Sequence, residues 1–321
     1  MRMTHGWFDT QHQATRPNAV TIGNFDGVHL GHREMVREVK RHAVRLGLPA
    51  VVITFEPSPR EYFAHGGVVP ARLTRLREKV AALADLGVDC LVLLRFNAKM
   101  AQVSPQAFVD DVLVDGLGVR HLVVGHDFRF AHRRAGSVDT LRELGASRGF
   151  AVEEVAPFLF EGERVSSSLV RAALADGNLY RAQRLLGRPF RLSGKVGPGK
   201  QLGRTLGFPT ANLLLHRKVT PLMGVFAVRV TGSGLTDAPA VANLGTRPVL
   251  NEAGGETAEP LLEVHVFDFA GDLYRRCLHV DFVAKLRDER WFPSLDALTV
   301  QMHEDARQAR DILGGRTSVE K

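Results

Sequence analysis

His29 and His32, separated by Leu30 and Gly31, are the side chains in this sequence best suited to handling phosphate. An imidazole donates a hydrogen bond to a phosphoryl oxygen and, when protonated, offsets the charge that builds up as a phosphorus–oxygen bond breaks. Both stand in VTIGNFDGVHLGH, Val20 to His32, where an apolar run stops at Gly23 and Asn24. Gly23, Gly27 and Gly31 let backbone N–H groups approach a ligand without Cβ obstruction. Two close histidines among 13 are as often plain exposed residues, so the context carries the weight. Ala19 to Ile22 reads as a buried strand and Arg33 to Leu46 as a helix with Val36, Val39, Ala43 and Leu46 on one face. The histidines then fall at a strand-to-helix junction, where free N–H groups and the helix dipole favour anions.

Three further groups of residues bear on the same chemistry. In VSSSLVR, Val165 to Arg171, serines open a helix and Arg171 lies about one turn inside it, so Ser167, Ser168 and the guanidinium are placed to share one phosphate. Taken alone, that segment is better read as a plain serine cap with a surface arginine. In GRTLGFPTANL, Gly203 to Leu213, Thr210 and Asn212 share a face if the segment is extended and offer hard oxygen atoms of the kind that hold Mg2+ beside nucleotide phosphates. The pattern is not a Walker A loop. Glu263 lies in LLEVHVF, where alternation puts Glu263, His265 and Phe267 on one face and Leu262, Val264 and Val266 on the other. Its carboxylate is a candidate proton acceptor if the apolar set packs inward, and a solvated strand glutamate otherwise.

The elements that must position these residues alternate in the first half. Strands are expected at Ala50 to Phe55, Cys90 to Leu94, His121 to Val124 and Ala151 to Val155, with an extended loop at Glu56 to Pro59. Helices are expected from a Thr74 cap to Leu86, from Ser104–Pro105 to Gly116, from Ser137 to Ala146, and as two pieces over Ser166 to Leu186. Such alternation gives a mostly parallel α/β sheet, Rossmann-like, with ligands beyond the carboxyl ends of its strands. That gathers Gly23 to His32, the loop after Phe55 and Gly125 to Phe130 around one crevice. From Arg188 strands follow one another: Gly224 to Val230, Ala238 to Leu244, Leu261 to Phe269 and Arg275 to Leu286, the last two joined as a hairpin by Ala270, Gly271 and Asp272. They suggest a small antiparallel β-barrel, closed by a helix from Ser294 to about Leu313 with Leu295, Leu298, Met302, Ala306 and Ala309 on one stripe. Two domains follow, 1–186 and 187–321.

Composition fits this picture. A hydrophobic fraction of 45% and a charged fraction of 24% belong to a water-soluble chain, with no apolar run long enough to span a bilayer and no apolar leader in the first residues. Cys90 and Cys277 read as packed thiols of buried strands in a reducing compartment, and a cytoplasmic location is expected. The net charge of +7 suits an enzyme of polyanionic nucleotides and also permits nucleic-acid binding.

Taken together, the motifs resemble the bacterial bifunctional riboflavin kinase/FAD synthetases over nearly the whole chain. The pieces are GNFDGVHLGH (Gly23 to His32), TFEPSPREYF (Thr54 to Phe63), VGHDFRF (Val124 to Phe130), VSSSLVR, GRTLGFPTANL, GVFAV (Gly224 to Val228), NLGTRP (Asn243 to Pro248), LEVHVFDF (Leu262 to Phe269) and KLRDERWF (Lys285 to Phe292). The resemblance implies an N-terminal domain that moves AMP from ATP onto FMN, giving FAD and pyrophosphate, and a C-terminal barrel that makes FMN from riboflavin and ATP. It implies ATP phosphate contacts from Gly23, Asn24, His29, Gly31, His32, Ser167, Ser168 and Arg171, and flavin contacts from Phe55, Asp127, Phe128 and Asn243. It implies Mg2+ and nucleotide at Gly203, Thr210 and Asn212, and Glu263 as base for the ribityl 5′-hydroxyl. The chain departs from the family at Ser58, usually histidine, at Ala131, usually glycine, and at Ser168, usually threonine. Two other readings stand beside this one: a riboflavin kinase whose adenylyltransferase half is weakened near Ser58, and a nucleotide-binding domain fused to a nucleic-acid-binding barrel. The second wants aromatic and basic residues interleaved on a strand face, which the barrel strands lack. No membrane partner is expected.

Overall fold

The computed structural model describes residues 1–5, 17–64, 67, 69–199, 203, 206–250 and 256–314. They divide into two compact units, the first made of Met1–Pro70 with Thr74–Ser166 and the second of Ala71–Leu73 with Ser167–Lys321.

In the first unit the chain runs β1 (Arg2–His5), β2 (Asn18–Ile22), α1 (Leu30–Leu46), β3 (Ala50–Glu56), α2 (Pro59–Phe63), α3 (Leu76–Asp85), β4 (Cys90–Arg95), α4 (Ala98–Ala101) and α5 (Pro105–Ala107). A wider helical stretch over Phe108–Asp115 continues α5, followed by β5 (Val119–Gly125), α6 (Val138–Arg148), β6 (Ala151–Val155) and a short antiparallel pair, β7 (Leu159–Phe160) and β8 (Glu163–Arg164). The first six strands form one all-parallel sheet in the order β1-β4-β3-β2-β5-β6. Its central strands read as unbroken apolar runs because both faces are covered. Val20, Ile22, Val51, Ile53, Val92 and Leu122 pack on one side, while Val36, Val52, Leu83 and Leu91 pack on the other. The strand order reverses between β2 and β5, and the loops leaving their carboxyl ends part at that switch point, where sheets of this kind bind ligands.

Several local expectations change. The helix expected from Arg33 begins at Leu30, because the His29 side chain caps it, and Leu46 at its far end is exposed. Arg75, not Thr74, takes the position before α3, because the Thr74 side chain is held by Asp26 and Gly27. The loop after Glu56 is not extended throughout: Ser58 accepts from Glu61 N–H at 3.4 Å, Glu61 accepts from Ser58 N–H at 2.9 Å, and this reciprocal cap starts α2 at Pro59.

The second unit opens with α7 (Ser167–Ala175) and α8 (Leu179–Leu186), which the sequence reading put in the first domain; α8 packs on strands of the barrel. The barrel strands are β9 (Phe190–Gly197), β10 (Ala211–Leu214), β11 (Gly224–Gly232), β12 (Leu235–Leu250), β13 (Glu256–Val266) and β14 (Cys277–Arg287), closed in the order β10-β13-β12-β11-β14-β9. β13 and β14 are therefore not a hairpin: β13 lies between β12 and β10, and β14 lies between β11 and β9. With both edges of β13 taken, the chain through Ala270–Asp272 crosses to the other side of the barrel. Gly194 and Gly197 sit in β9, where an added Cβ would press on Leu213 and Leu214, so this glycine-rich stretch is a strand closely approached by its neighbour. Cys277, expected buried, is exposed; Cys90 is buried, and both are free thiols. The last helix, α9 (Leu295–Gly314), lays Ala306, Ala309 and Leu313 on Phe208, Ala227 and Phe267, while Leu295 at its start is exposed.

Candidate functional sites

The turn between β2 and α1 is strained and held from outside. Phe25 (φ +48°) and Val28 (φ +44°) adopt the left-handed region, costly for a β-branched residue, with Gly27 at φ +85° between them. Burial of both side chains against Val36, Leu83 and Leu91 offsets the strain. So do bonds from the segment before α3: Thr74 N–H donates to Asp26 Oδ1 at 2.9 Å, and Gly27 N–H donates to Thr74 Oγ1 at 2.9 Å. The turn delivers His29, only 6% exposed, as the N-cap of α1. Its Nδ1 accepts from His32 N–H at 3.4 Å, and the two imidazoles stack with centroids 3.6 Å apart. An added Cβ at Gly31 would come within 3.3 Å of the His29 ring, so glycine lets the turn close.

Burial, with the charges of His29 and Lys79, holds His32 well below the ordinary histidine range, so it is neutral near pH 7. Its Nδ1 is buried without a hydrogen-bond partner. The result is an uncharged imidazole at the positive end of α1, beside the switch point.

The remaining first-unit candidates border the same strand ends. Asn24, exposed after β2, accepts from Thr54 Oγ1 at 3.2 Å through its carbonyl. Asp127, after β5, pairs with Arg164 at 2.8 Å; burial pushes its carboxyl up, but Arg164 and His126 outweigh that and hold it below the usual range. Phe128 stacks on Phe130 at 5.8 Å. Phe55 meets Phe96 at 5.9 Å, and Tyr62 and Phe63 approach Phe96 at 5.3 and 5.7 Å, making an aromatic group at the ends of β3 and β4. Ser167, Ser168 and Arg171 lie on α7 of the second unit, where Arg171 Nε donates to Ala71 O at 2.6 Å. The structure thus brings His29 with His32, and leaves the serine–arginine group to the other unit.

In the barrel, register does the assembling. Asn212, Glu263, Asn243, Val225 and Arg287 are cross-strand partners on successive strands β10, β13, β12, β11 and β14, so their side chains line one row. Leu262, Val264 and Val266 are buried, so the apolar set does face inward and Glu263 faces out. A cavity of about 270 Å³ lies over the row, lined by Gly203, Thr210, Asn243, Glu263 and Arg287, with Leu298 and Met302 of α9. Burial raises the Glu263 carboxyl above its ordinary value; Asn243 opposes this by hydrogen bonding, and Glu289 adds to it. The Asn243 amide also donates to Glu289 at 3.2 Å. Arg287 is fixed by Asp305 of α9, Nε to Oδ1 at 2.9 Å and Nη2 to Oδ2 at 2.7 Å, with Asp305 itself 3% exposed. Asn212 is buried, its amide filling the space a Cβ on Gly199 would take.

The sequence reading missed Lys79, Phe96, Glu289 and Arg287. Lys79 carried a legible signal: it stands on the α3 face that holds Leu76 and Leu83, where a lysine should be conspicuous. Arg287 and Glu289 become neighbours of Asn243 only through barrel register.

Among the described residues one further cluster, His42, His121 and Glu153, brings potential metal-ligand atoms within 4.8 Å of one another. Its chemistry does not suit a metal. The two imidazoles stack face to face at 3.6 Å, so no ion can lie in both ring planes without rearrangement. Arg45 and Arg41 stand 2.8 and 2.9 Å from His42 Nδ1 and Nε2, so the one lone pair of the neutral ring is taken by a guanidinium. The cluster ties α1 to β5 and β6.

A parallel α/β unit with a strained glycine turn and stacked imidazoles at its switch point, followed by a closed barrel with a carboxylate at the floor of a cavity, is the layout of a transferase with two separate centres. Comparison with known proteins gives the particular family. A model of FAD synthetase matches residues 11–169, and a model of riboflavin kinase matches residues 186–313. A bifunctional riboflavin kinase/FMN adenylyltransferase of Escherichia coli K12 is 45% identical over 98% of this chain and 98% of its own. The protein of the same description from Pseudomonas fluorescens is 48% identical over 90% of this chain and 91% of its own. The chain belongs to the bifunctional riboflavin kinase/FMN adenylyltransferase family. It is also similar to the crystal structure of a macrolide-efflux protein from Streptococcus pneumoniae, with a TM-score of 0.81 and 29% identity over 97% of this chain and 99% of that one. In the present chain no helix among the described residues is long and apolar enough to cross a membrane.

Proposed function

We propose that this chain makes both flavin cofactors, phosphorylating riboflavin to FMN in the barrel and joining FMN to the AMP of ATP in the α/β unit, and that it does so in the cytoplasm. The observation that carries the reading is the pair of chemically opposite centres in the order of the family's two domains: a His32 imidazole of lowered proton affinity stacked on His29 at a helix N-terminus, then a carboxylate of raised proton affinity under a cavity. We divide the activities at 1–186 and 187–321.

In adenylylation an FMN phosphate oxygen attacks the α-phosphorus of ATP and pyrophosphate leaves. His29 and His32, with the N–H groups of Gly31 and the start of α1, donate to the phosphate oxygens as charge shifts toward the leaving group. Gly23 and Asn24 border the nucleotide, and Phe55, Asp127 and Phe128 border the flavin. No proton needs to be taken from the nucleophile, an ionised phosphate, so a neutral donor suffices. In phosphorylation the riboflavin 5′-hydroxyl attacks the γ-phosphorus, the bond to ADP breaks, and Glu263 accepts the hydroxyl proton. Asn243 orients Glu263 and borders the flavin, and Gly203 lets the backbone reach the nucleotide. Thr210 and Asn212 fit Mg2+ as neutral hard oxygen donors, the Asn212 amide being pinned beside Gly199; bound Mg2+ neutralises nucleotide phosphate charge. Purified protein incubated with riboflavin, ATP and magnesium should yield FMN first and then FAD by chromatography. FMN without FAD would remove the adenylyltransferase half of the reading, and neither product would remove both.

A further inference from the structure

The first unit buries a lysine that the chemistry above leaves unused. Lys79 is 5% exposed on α3, and Nζ donates to Thr54 Oγ1 at 3.3 Å. Thr54 in turn donates to the carbonyl of Asn24. This chain of bonds runs from α3 through β3 into the glycine turn that delivers His29 and His32. Taking an ammonium out of water is costly unless it serves charges at the site it borders. α3 is already anchored by Leu83 and Val80 packing on Phe25 and Val28, so an apolar residue at position 79 would complete that face at lower cost.

We infer that Lys79 is a positioning residue for adenylyl transfer, locking Thr54 against Asn24 and so fixing the start of the turn that carries the His29–His32 pair. The inference deepens the adenylyltransferase reading and rests on it. The groups whose charge bears on His32 are His29, stacked on it from α1, and Lys79 from α3; β3 presents the neutral Thr54, and the Phe25 ring lies 5.0 Å away. A lysine ammonium opposes protonation of His32 and so keeps that imidazole in its neutral form as pH falls. It also adds to the field that receives polyphosphate. A methionine of similar length would preserve packing and remove the charge, and an arginine would keep it.

The test compares K79M and K79R in the full chain. FAD formation from FMN and ATP is followed across about pH 6 to 9. The amide NMR spectrum of each variant reports folding of the α/β unit, riboflavin phosphorylation by the same preparations reports the barrel, and the His32 ring is titrated by NMR, assigned with H32Q. K79M should lower kcat for FAD formation by about tenfold or more, a preorganised-donor effect, with riboflavin phosphorylation within about twofold. Its acid limb and the His32 midpoint should both move to higher pH, and K79R should restore most of the rate and the midpoint. Wild-type FAD formation by K79M overturns the inference. So does a loss equal at every pH, with an unmoved His32 midpoint and no rescue by arginine, which marks plain structural support. If the wild-type chain itself forms no FAD, the adenylyltransferase reading fails, while the His32 titration still decides whether Lys79 acts on it.

Discussion

In the α/β unit burial weakens the hold of His32 on a proton, while in the barrel burial strengthens that of Glu263. The same desolvation drives both groups toward their uncharged forms, and the two proposed roles call on that differently. Adenylyl transfer starts from an ionised phosphate and wants donors that cost little to bury. Phosphorylation starts from an alcohol and wants a base whose affinity for a proton is raised. The construction differs as well. The first site stands on a strained turn at strand ends, fixed by Asp26, Thr74 and packed Phe25 and Val28; the second stands in strand register, each side chain placed by its neighbours across the barrel.

Removing each group should break the comparison into its halves. Glu263→Gln should lower riboflavin phosphorylation by about 10²–10⁴-fold while added FMN is still converted to FAD. His32→Ala should lower FAD formation by about 10²–10³-fold while FMN still accumulates. Separate assays of the two products check both, and a variant that loses both activities while folded would contradict the independence of the centres. A smaller effect should follow from the Arg287–Asp305 pair. Breaking a buried ion pair costs about 3–5 kcal/mol, so Asp305→Ala should lower the barrel's unfolding transition and weaken the kinase, with adenylylation of FMN retained. Calorimetry with product assays measures this.

The finest contrast is in pH. His32 and His121 sit below the ordinary histidine value, His121 through burial and then the stacked His42. The unfolded chain therefore binds their protons first as pH falls, and stability present above about pH 6.5 is lost on acidification. Glu263 lies above its ordinary value, so the folded barrel binds its proton first, and that group's contribution grows as pH falls. Between about pH 7 and 5, hydrogen exchange should show protection falling in β2 and β5 relative to β11 and β13. The ion-paired carboxylate of Glu304, held at about 2, stays charged throughout that window. Parallel losses in the two units would contradict the assignment.

Much of this was legible in the residues. β2, β3, β4 and β5 announce themselves as apolar runs, and the alternation around Glu263 separates its face from the barrel interior. Apart from Lys79, what escaped had no local signal. β1 is the polar tetrapeptide Arg2–His5, held by parallel pairing with β4. β9 contains two glycines and reads as a loop until its partners are known. The supposed hairpin at Ala270–Asp272 has good turn chemistry, but strand order is set by pairings distant in sequence. Thr74 looked like a cap because serine and threonine often are; Asp26, remote in sequence, claims it instead. Lys79 was legible by position on an apolar helix face and was passed over.

The closure of the barrel also bears on how the protein is made. β9 is the strand that seals the ring, and its Arg191 pairs with Asp281 across a sequence separation of 90 residues. During synthesis β9 emerges long before β14, so it waits with an open edge while the strands between them appear. Pairings of such separation form slowly, since the loop must close before any contact rewards it. The parallel sheet ahead of it has all its strands by residue 155. On a ribosome the chain is therefore an assembled α/β unit trailing an unsealed barrel, and the kinase half is the part that depends on protection from misassociation until its last strand arrives.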